Sequence, residues 1–312
     1  MPSDVGFWWT STGWWIRPNT ARDVMNVLGA IGVYNARQSF GWRGMSSADY
    51  RLTSSLQRKL GAETSETEMR AAEVDLLAAA REWGLGIGPG GYVDDLQLLA
   101  DLQHYGIATR LLDFTSNPMT ALWFACQSPK DPAAAKSGVL LALNTTGMRQ
   151  VSTVPTGRSW SYLNNPAGST LQDALKDPAP FLVRSAIPNE RLRAQEGFFV
   201  TGAVPPPRGE VIASPSGARE FRIQLVDPFE AINVSWTHGD AERLAASLVA
   251  ERQRGHPSAM PFVAVIIKAG LKRKLLRYLE NTYNRTAKVL FPDYGGFLEF
   301  RSEPAARDTV AD

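Results

Sequence analysis

Apolar positions recur at helical spacing through the first part of the chain and at strand spacing, or in unbroken runs, after it. Val24, Val27, Leu28 and Ile31 mark one face of a helix behind an N-cap at Thr20. Residues 40–44 read as a short strand ending at Gly44, and residues 50–60 as a loop running into a short helix around Leu56. The spacing predicts a helix over residues 65–83, acidic at its start, with Leu76, Leu77 and Ala80 turned inward. Residues 84–91 hold five glycines and read as a flexible loop; without the lysine and Ser/Thr of a P-loop it is not expected to cradle phosphate. Residues 94–126 then give helix, tight turn, strand, loop and helix. Leu98, Leu99, Leu102 and Tyr105 form an apolar stripe, Gly106 fits a left-handed C-cap, residues 109–114 suit a buried strand, and Ser116 or Asn117 with Pro118 opens a helix carrying Ala121, Leu122, Phe124 and Ala125.

Beyond residue 130 the pattern changes. Residues 138–144 (GVLLALN) are a buried strand, and residues 145–170 a long polar connection or flap. Residues 181–186 and 197–201 read as strands around a turn-like segment at 189–195. Three prolines at 205–207 make a rigid loop. Residues 220–225 and 232–236 alternate as strands, residues 240–254 predict a helix, and residues 261–268 (PFVAVIIK) are the strongest β run. Residues 272–279 form a basic amphipathic helix, and the chain returns to strand or loop from residue 286. Strand runs without regular β-α alternation predict an α+β fold, a helical N-terminal half packed on a mainly antiparallel sheet. The expected organisation is an arm over residues 1–19, a single domain over residues 20–303, and a frayed tail over residues 304–312.

Composition narrows the functional classes. A net charge of +2 on 312 residues supplies no global attraction to nucleic acid or to a membrane surface. No run approaches the roughly 20 apolar residues of a membrane span, and the first residues lack the basic and apolar regions of a leader. One cysteine, Cys126, excludes an internal disulfide and reads as a small buried hydrophobe, which suits a reducing cytosol and a cytoplasmic protein. Three histidines and one cysteine give no zinc-ligand spacing, so no metal is expected. Phe7, Trp8, Trp9, Trp14 and Trp15 crowd the first residues; they read as an arm packed on the domain, the alternative being a contact surface for a partner or a stacked base.

The candidate chemistry gathers at element ends. Arg43 follows Trp42 and precedes Gly44; a guanidinium there can grip phosphate in two-pronged fashion, with the glycine letting a ligand approach the backbone. The alternative is an arginine paired with a structural carboxylate. His104 falls in a last helical turn, where it caps the helix or serves as an acid-base or ribose ligand. Arg110 and Asp113 are three apart and cannot simply pair with each other. Asp113 accepts N–H groups of the following turn or acts in catalysis, and Thr115 and Asn117 have capping as their plain role. Gln195 and Glu196 open a late strand.

These motifs carry a family resemblance. HYGIATRLLDFTSNPMTALWFA (residues 104–125), with Trp42-Arg43-Gly44 upstream, resembles the signature of the FRG domain. Residues 52–58 (LTSSLQR), 191–199 (RLRAQEGFF) and 290–295 (LFPDYG) match further pieces in the family's order, so the resemblance spans about residues 20–300. The order of motifs also looks like that of the ADP-ribosyltransferase fold. That resemblance implies NAD as substrate, held by Trp42, Arg43, Gly44, Tyr105, Arg110, Thr115 and Asn117, with catalysis at His104, Asp113, Gln195 and Glu196. It also implies a protein or nucleic-acid acceptor and an effector of the toxin or phage-defence kind, with an antitoxin as partner. The alternatives are a non-catalytic interaction module and a nucleic-acid binder or nuclease, for which Lys272, Arg273, Lys274 and Arg277 supply the basic face. On the leading reading, Arg43, His104 and Asp113 line one cavity, and the Gln195-Glu196 turn approaches it.

Overall fold

The structure is a computed structural model. It describes residues 6–9, 13–34, 38–50, 52–61, 64–88, 91–128, 136–153, 170–176, 180–204, 236–239 and 262–300. The strand expected at 220–225, most of that at 232–236, the helix at 240–254, the proline loop and the tail lie outside these residues.

In chain order the elements are β1 (Gly6–Trp9), β2 (Gly13–Ile16), α1 (Ala21–Tyr34), β3 (Phe40–Met45), α2 (Ser55–Leu60), α3 (Glu66–Glu82), β4 (Ile87–Gly88), β5 (Gly91–Tyr92), α4 (Asp95–His104), β6 (Leu112–Thr115) and α5 (Pro118–Cys126). There follow β7 (Gly138–Asn144), β8 (Gln150–Ser152), α6 (Thr170–Ala174), β9 (Phe181–Arg184), α7 (Glu190–Ala194), β10 (Gly197–Thr201), β11 (Trp236–Gly239), β12 (Phe262–Ile267), α8 (Ala269–Tyr283), α9 (Ala287–Leu290) and α10 (Tyr294–Phe300). One sheet runs β11-β1-β2-β12-β7-β3-β6-β10-β9-β8, and β4 pairs with β5 apart from it. Among the described residues only the β2–β12 and β8–β9 pairs are parallel. The fold is α+β, with a mainly antiparallel sheet. Among the described residues no helix is long and apolar enough to cross a membrane.

Several expectations need correction. Residues 189–195 contain the short helix α7, whose N-cap Asn189 accepts from Leu192 N–H. Residues 287–290 and 294–300 are helical, because Thr286 caps α9 and Asp293 accepts from Gly296 N–H at the start of α10. The glycine-rich loop holds the β4–β5 pair, fixed by Arg81, which donates to the Gly86 and Val93 carbonyls. The 145–170 connection contains β8. The basic helix is α8, and Lys272 faces inward: its Nζ donates to Ser46 O and Gln127 O at 2.7 and 2.8 Å, which removes it from any basic face.

The sheet is buried on both faces. Along β7, Leu140 and Ala142 join one cluster while Val139, Leu141 and Leu143 join the other; in β12, Val263, Val265 and Ile267 oppose Ala264 and Ile266. Trp42 is registered with Thr115, and Asp113 with Phe199, so these four share a face. Helices α1, α5 and α8 cover that face at the β3–β7–β12 end, and α3, α4 and α6 cover it at the β6–β10–β9 end. The two helical groups leave a gap between α4 and α5.

Asp94 is the N-cap of α4, and Oδ1 accepts from Leu96 N–H at 2.8 Å. Burial, opposed by hydrogen bonds from Thr170 and Leu96, raises its pKa from 3.8 to about 6. The folded state therefore holds this proton more tightly than the unfolded chain; the raised pKa favours folding below about pH 4, and that advantage is lost as pH rises through 6. Asp94→Asn keeps the cap acceptor and removes the buried charge. It is expected to raise stability at pH 7 to 8 by about 1–3 kcal/mol and to leave it unchanged near pH 4, as read by urea denaturation across pH. A variant that gains equally at both pH values would refute the buried charge.

Candidate active site

The gap between α4 and α5 is a cavity of about 340 Å³. Its floor is the sheet, at Trp42, Asp113, Thr115 and Phe199. Gln103 and His104 enter from α4, Phe124 from α5, Arg191 and Gln195 from the α7 segment, and Phe291 from the loop before α10. Strands β3, β6 and β10, helices α4, α5 and α7 and the segment before α10 thus bring polar groups and aromatic rings to one place, the composition of a small-molecule site.

Arg43 reaches the cavity because β3 and β6 pair at a single position, Trp42 with Thr115. Beyond it the ladder parts, and Arg43 Nη1 donates to the main-chain oxygen of Asp113 at 2.6 Å in place of a backbone partner. The Asp113 carboxylate lies 3.7 Å from Nη1 and also accepts from Gln103 Nε2 at 2.7 Å, while its side chain stays 66% exposed. It does not take up N–H groups of the next turn; that task falls to Thr115, whose Oγ1 accepts from Asn117 N–H and donates to Gln195 O. Burial lowers the Arg43 pKa; Asp113 opposes this and the charge of Arg58 reinforces it.

His104 ends α4 with Nε2 3.3 Å from Asp293 Oδ2. Burial and the Arg191 charge hold its pKa below the ordinary value, against the carboxylates of Asp293 and Asp101. Arg191 forks onto Asp293 at 3.0 and 3.1 Å and lies over the Phe291 ring at 4.8 Å. Burial works against the Asp293 charge, but Arg191, Gly296 N–H and His104 together hold its pKa below the ordinary range. This cluster ties three separate stretches of chain around the cavity rim. Gln195 donates Nε2 to Leu290 O at 3.0 Å, which leaves its Oε1 as the amide's acceptor.

Other expected site residues fall elsewhere. Arg110 is buried and grips both oxygens of Glu73 at 2.5 Å, with Glu66 beside it. Burial alone would push its pKa down; Glu73 and Glu66 reverse that and hold it above the ordinary range, so it pins α3 to β6 and binds no ligand in the cavity. Tyr105 is 81% exposed and packs edge-on against His104, outside the cavity lining. Asn117 caps α5 and donates to Glu196 Oε1 at 2.8 Å. Glu196, at φ 51°, also accepts from Arg285 at 3.1 Å and is absent from the cavity lining. Gly44 serves packing rather than ligand approach, since a Cβ there would stand 1.8 Å from Ala121 O on α5.

Sequence reasoning missed Gln103, Arg191, Asp293 and the Phe124 and Phe291 rings. Arg191 and Asp293 stand in two of the short matching stretches, so the stretches signalled them; only the fold shows that they meet. Among the described residues no group of three or more His, Cys, Asp or Glu is placed to hold a metal ion.

A family model described as the FRG domain matches residues 38–134. That span contains Arg43, His104, Asp113 and α5, and excludes Arg191, Gln195 and Asp293. No curated protein and no solved structure matches the chain.

Arg110→Ala is expected to strand Glu73 in the core and cost about 3–5 kcal/mol of stability. A urea midpoint within error of the unsubstituted chain would show the pair to be dispensable.

Proposed function

With an FRG domain at residues 38–134 as the premise, we propose that the cavity binds NAD and that the protein is an ADP-ribosyltransferase-like enzyme of the cytoplasm. The observation that carries this reading is the convergence of Arg43, His104 and Asp113 with the Phe124 and Phe291 rings around one cavity. A guanidinium suits the diphosphate, and an aromatic face suits the nicotinamide or adenine.

The reaction breaks the bond between the nicotinamide nitrogen and ribose C1′. The bonding electrons leave with nicotinamide, and C1′ becomes cation-like until an acceptor adds and gives up a proton. On this reading the exposed Asp113 carboxylate, which lines the same cavity, stabilises that cation electrostatically. Glu196 is committed to Arg285 and Asn117. The lowered pKa of His104 keeps its imidazole neutral near pH 7 and able to take the acceptor's proton. Cys126, buried and with its pKa pushed up to about 12, takes no part.

Arg43→Ala is expected to weaken NAD binding by on the order of 100-fold, since charge-assisted hydrogen bonds contribute roughly 1.5–3 kcal/mol each. Arg43→Lys should recover part of this, as it keeps the charge without the planar fork. The Asp113 carboxylate is exposed and not left buried, so melting temperature should fall only by what the lost Nη1 bond to Asp113 O contributes, roughly 1 kcal/mol. Calorimetric titration with NAD and thermal melting on the same variants decide it: a collapse in stability with unchanged NAD affinity would discard the reading.

Asp113→Asn should leave NAD affinity within a few-fold and slow nicotinamide release by about 100-fold or more. If the unsubstituted chain binds NAD and releases no nicotinamide, the site belongs to a binding module instead.

A further inference from the structure

A second cavity, of about 580 Å³, lies on the other side of Arg43. Arg43, Gly44 and Phe124 form the wall common to both. Arg58, Tyr50 and Asp49 line the far side. None of these far-side residues figures in the chemistry above.

Its charge pattern is specific. Arg58, in the last turn of α2, is fixed by donating Nη1 to Thr53 O at 2.5 Å. Arg43 and Arg58 both line this cavity, and the Arg58 charge adds to the lowering of the Arg43 pKa that burial chiefly causes. Arg43 has spent Nη1 on Asp113, but its Nε is buried and, among the described residues, has no partner. A buried N–H without an acceptor is a standing cost. Asp49, the one carboxylate of this lining, is held by Lys136 at 2.6 Å. Two arginines lining one cavity whose carboxylate is already engaged make a site for a group with several anionic oxygens. Tyr50 is more than half exposed and offers a ring face to whatever the phosphoryl group carries.

We propose that this second cavity binds a phosphoryl group, gripped jointly by Arg43 and Arg58. The inference stands for any phosphoryl-bearing ligand; on the NAD reading it places the diphosphate at Arg43, with the two halves of the dinucleotide in the two cavities.

Isothermal titration with ADP, inorganic pyrophosphate and adenosine, on the unsubstituted chain and on Arg58→Ala and Arg58→Lys, tests this. ADP and pyrophosphate should bind and adenosine should not. Arg58→Ala should weaken both anions by about 10- to 100-fold, with Arg58→Lys between. Pyrophosphate binding as tightly as ADP marks the free anion as sufficient; much tighter ADP assigns the nucleoside a contact, with Tyr50→Ala expected to remove the difference. Thermal melting of each variant separates lost binding from lost fold, and Arg58→Lys serves where Arg58→Ala melts early. The proposal is overturned if neither anion binds the unsubstituted chain, or if folded Arg58 variants bind them undiminished. Because ADP and pyrophosphate carry no nicotinamide, anion binding without NAD cleavage upholds this site while retiring the enzyme reading. NAD cleavage that survives in Arg58 variants with undiminished anion binding does the opposite.

Discussion

Among the described residues, the tightest constraint at the glycines is the approach of α5 to the sheet. Gly44 and Gly138 lie on neighbouring strands, and a Cβ at either would meet a carbonyl of α5, Ala121 O at 1.8 Å or Ala125 O at 2.1 Å. Neither contact can be relieved by a side-chain rotation, because the atoms met are main chain. The helix therefore sits directly on β3 and β7, with Ala121, Leu122, Ala125 and Cys126 fully buried. That seat fixes Phe124 over both cavities and places Asn117, the cap of α5, beside the Glu196 turn. Arg43, the residue before Gly44, is set in the parted ladder by the same seating.

Two arginines separated by that geometry behave differently. Arg110 is enclosed by two carboxylates in the core, so removing it would leave a buried charge without compensation. Arg43 is held at one edge only: a main-chain oxygen takes Nη1, the carboxylate beside it faces solvent, and Nε is left over. The first arrangement spends the guanidinium on the fold. The second orients it and leaves donors for something else.

Elements with strong local signals were legible in the sequence. α1, α3, β7 and β12 stand where their apolar periods and caps put them, because one buried face or a fully buried run leaves no ambiguity. The short helices α7, α9 and α10 were not, since four to seven residues carry too little periodicity and are made by caps and a tertiary anchor, Asp293 above all. The site was partly legible. Arg43, His104 and Asp113 drew notice as polar groups at element ends, and they share a cavity. Arg110 drew equal notice from the same motif, yet a one-dimensional reading cannot show that Glu73, 37 residues away, waits for it. Lys272 misled for a related reason: its charge suggests a solvated face, whereas two main-chain oxygens take it inward.

The late carboxylate shows how geometry redirects a chemical argument. Sequence order pointed to the Gln195-Glu196 turn for stabilising a ribose cation. Glu196 occupies a left-handed conformation that only a few non-glycine residues adopt, and its carboxylate holds both Asn117 and Arg285. It thereby joins the start of α5 to the segment after α8, and a carboxylate so committed is a tie in the fold. Gln195 does line the cavity, but its amide is oriented by Leu290 O and carries no charge. On the proposed reading the negative charge comes instead from the strand β6, where Asp113 lies between Arg43 and Gln103 and still faces solvent.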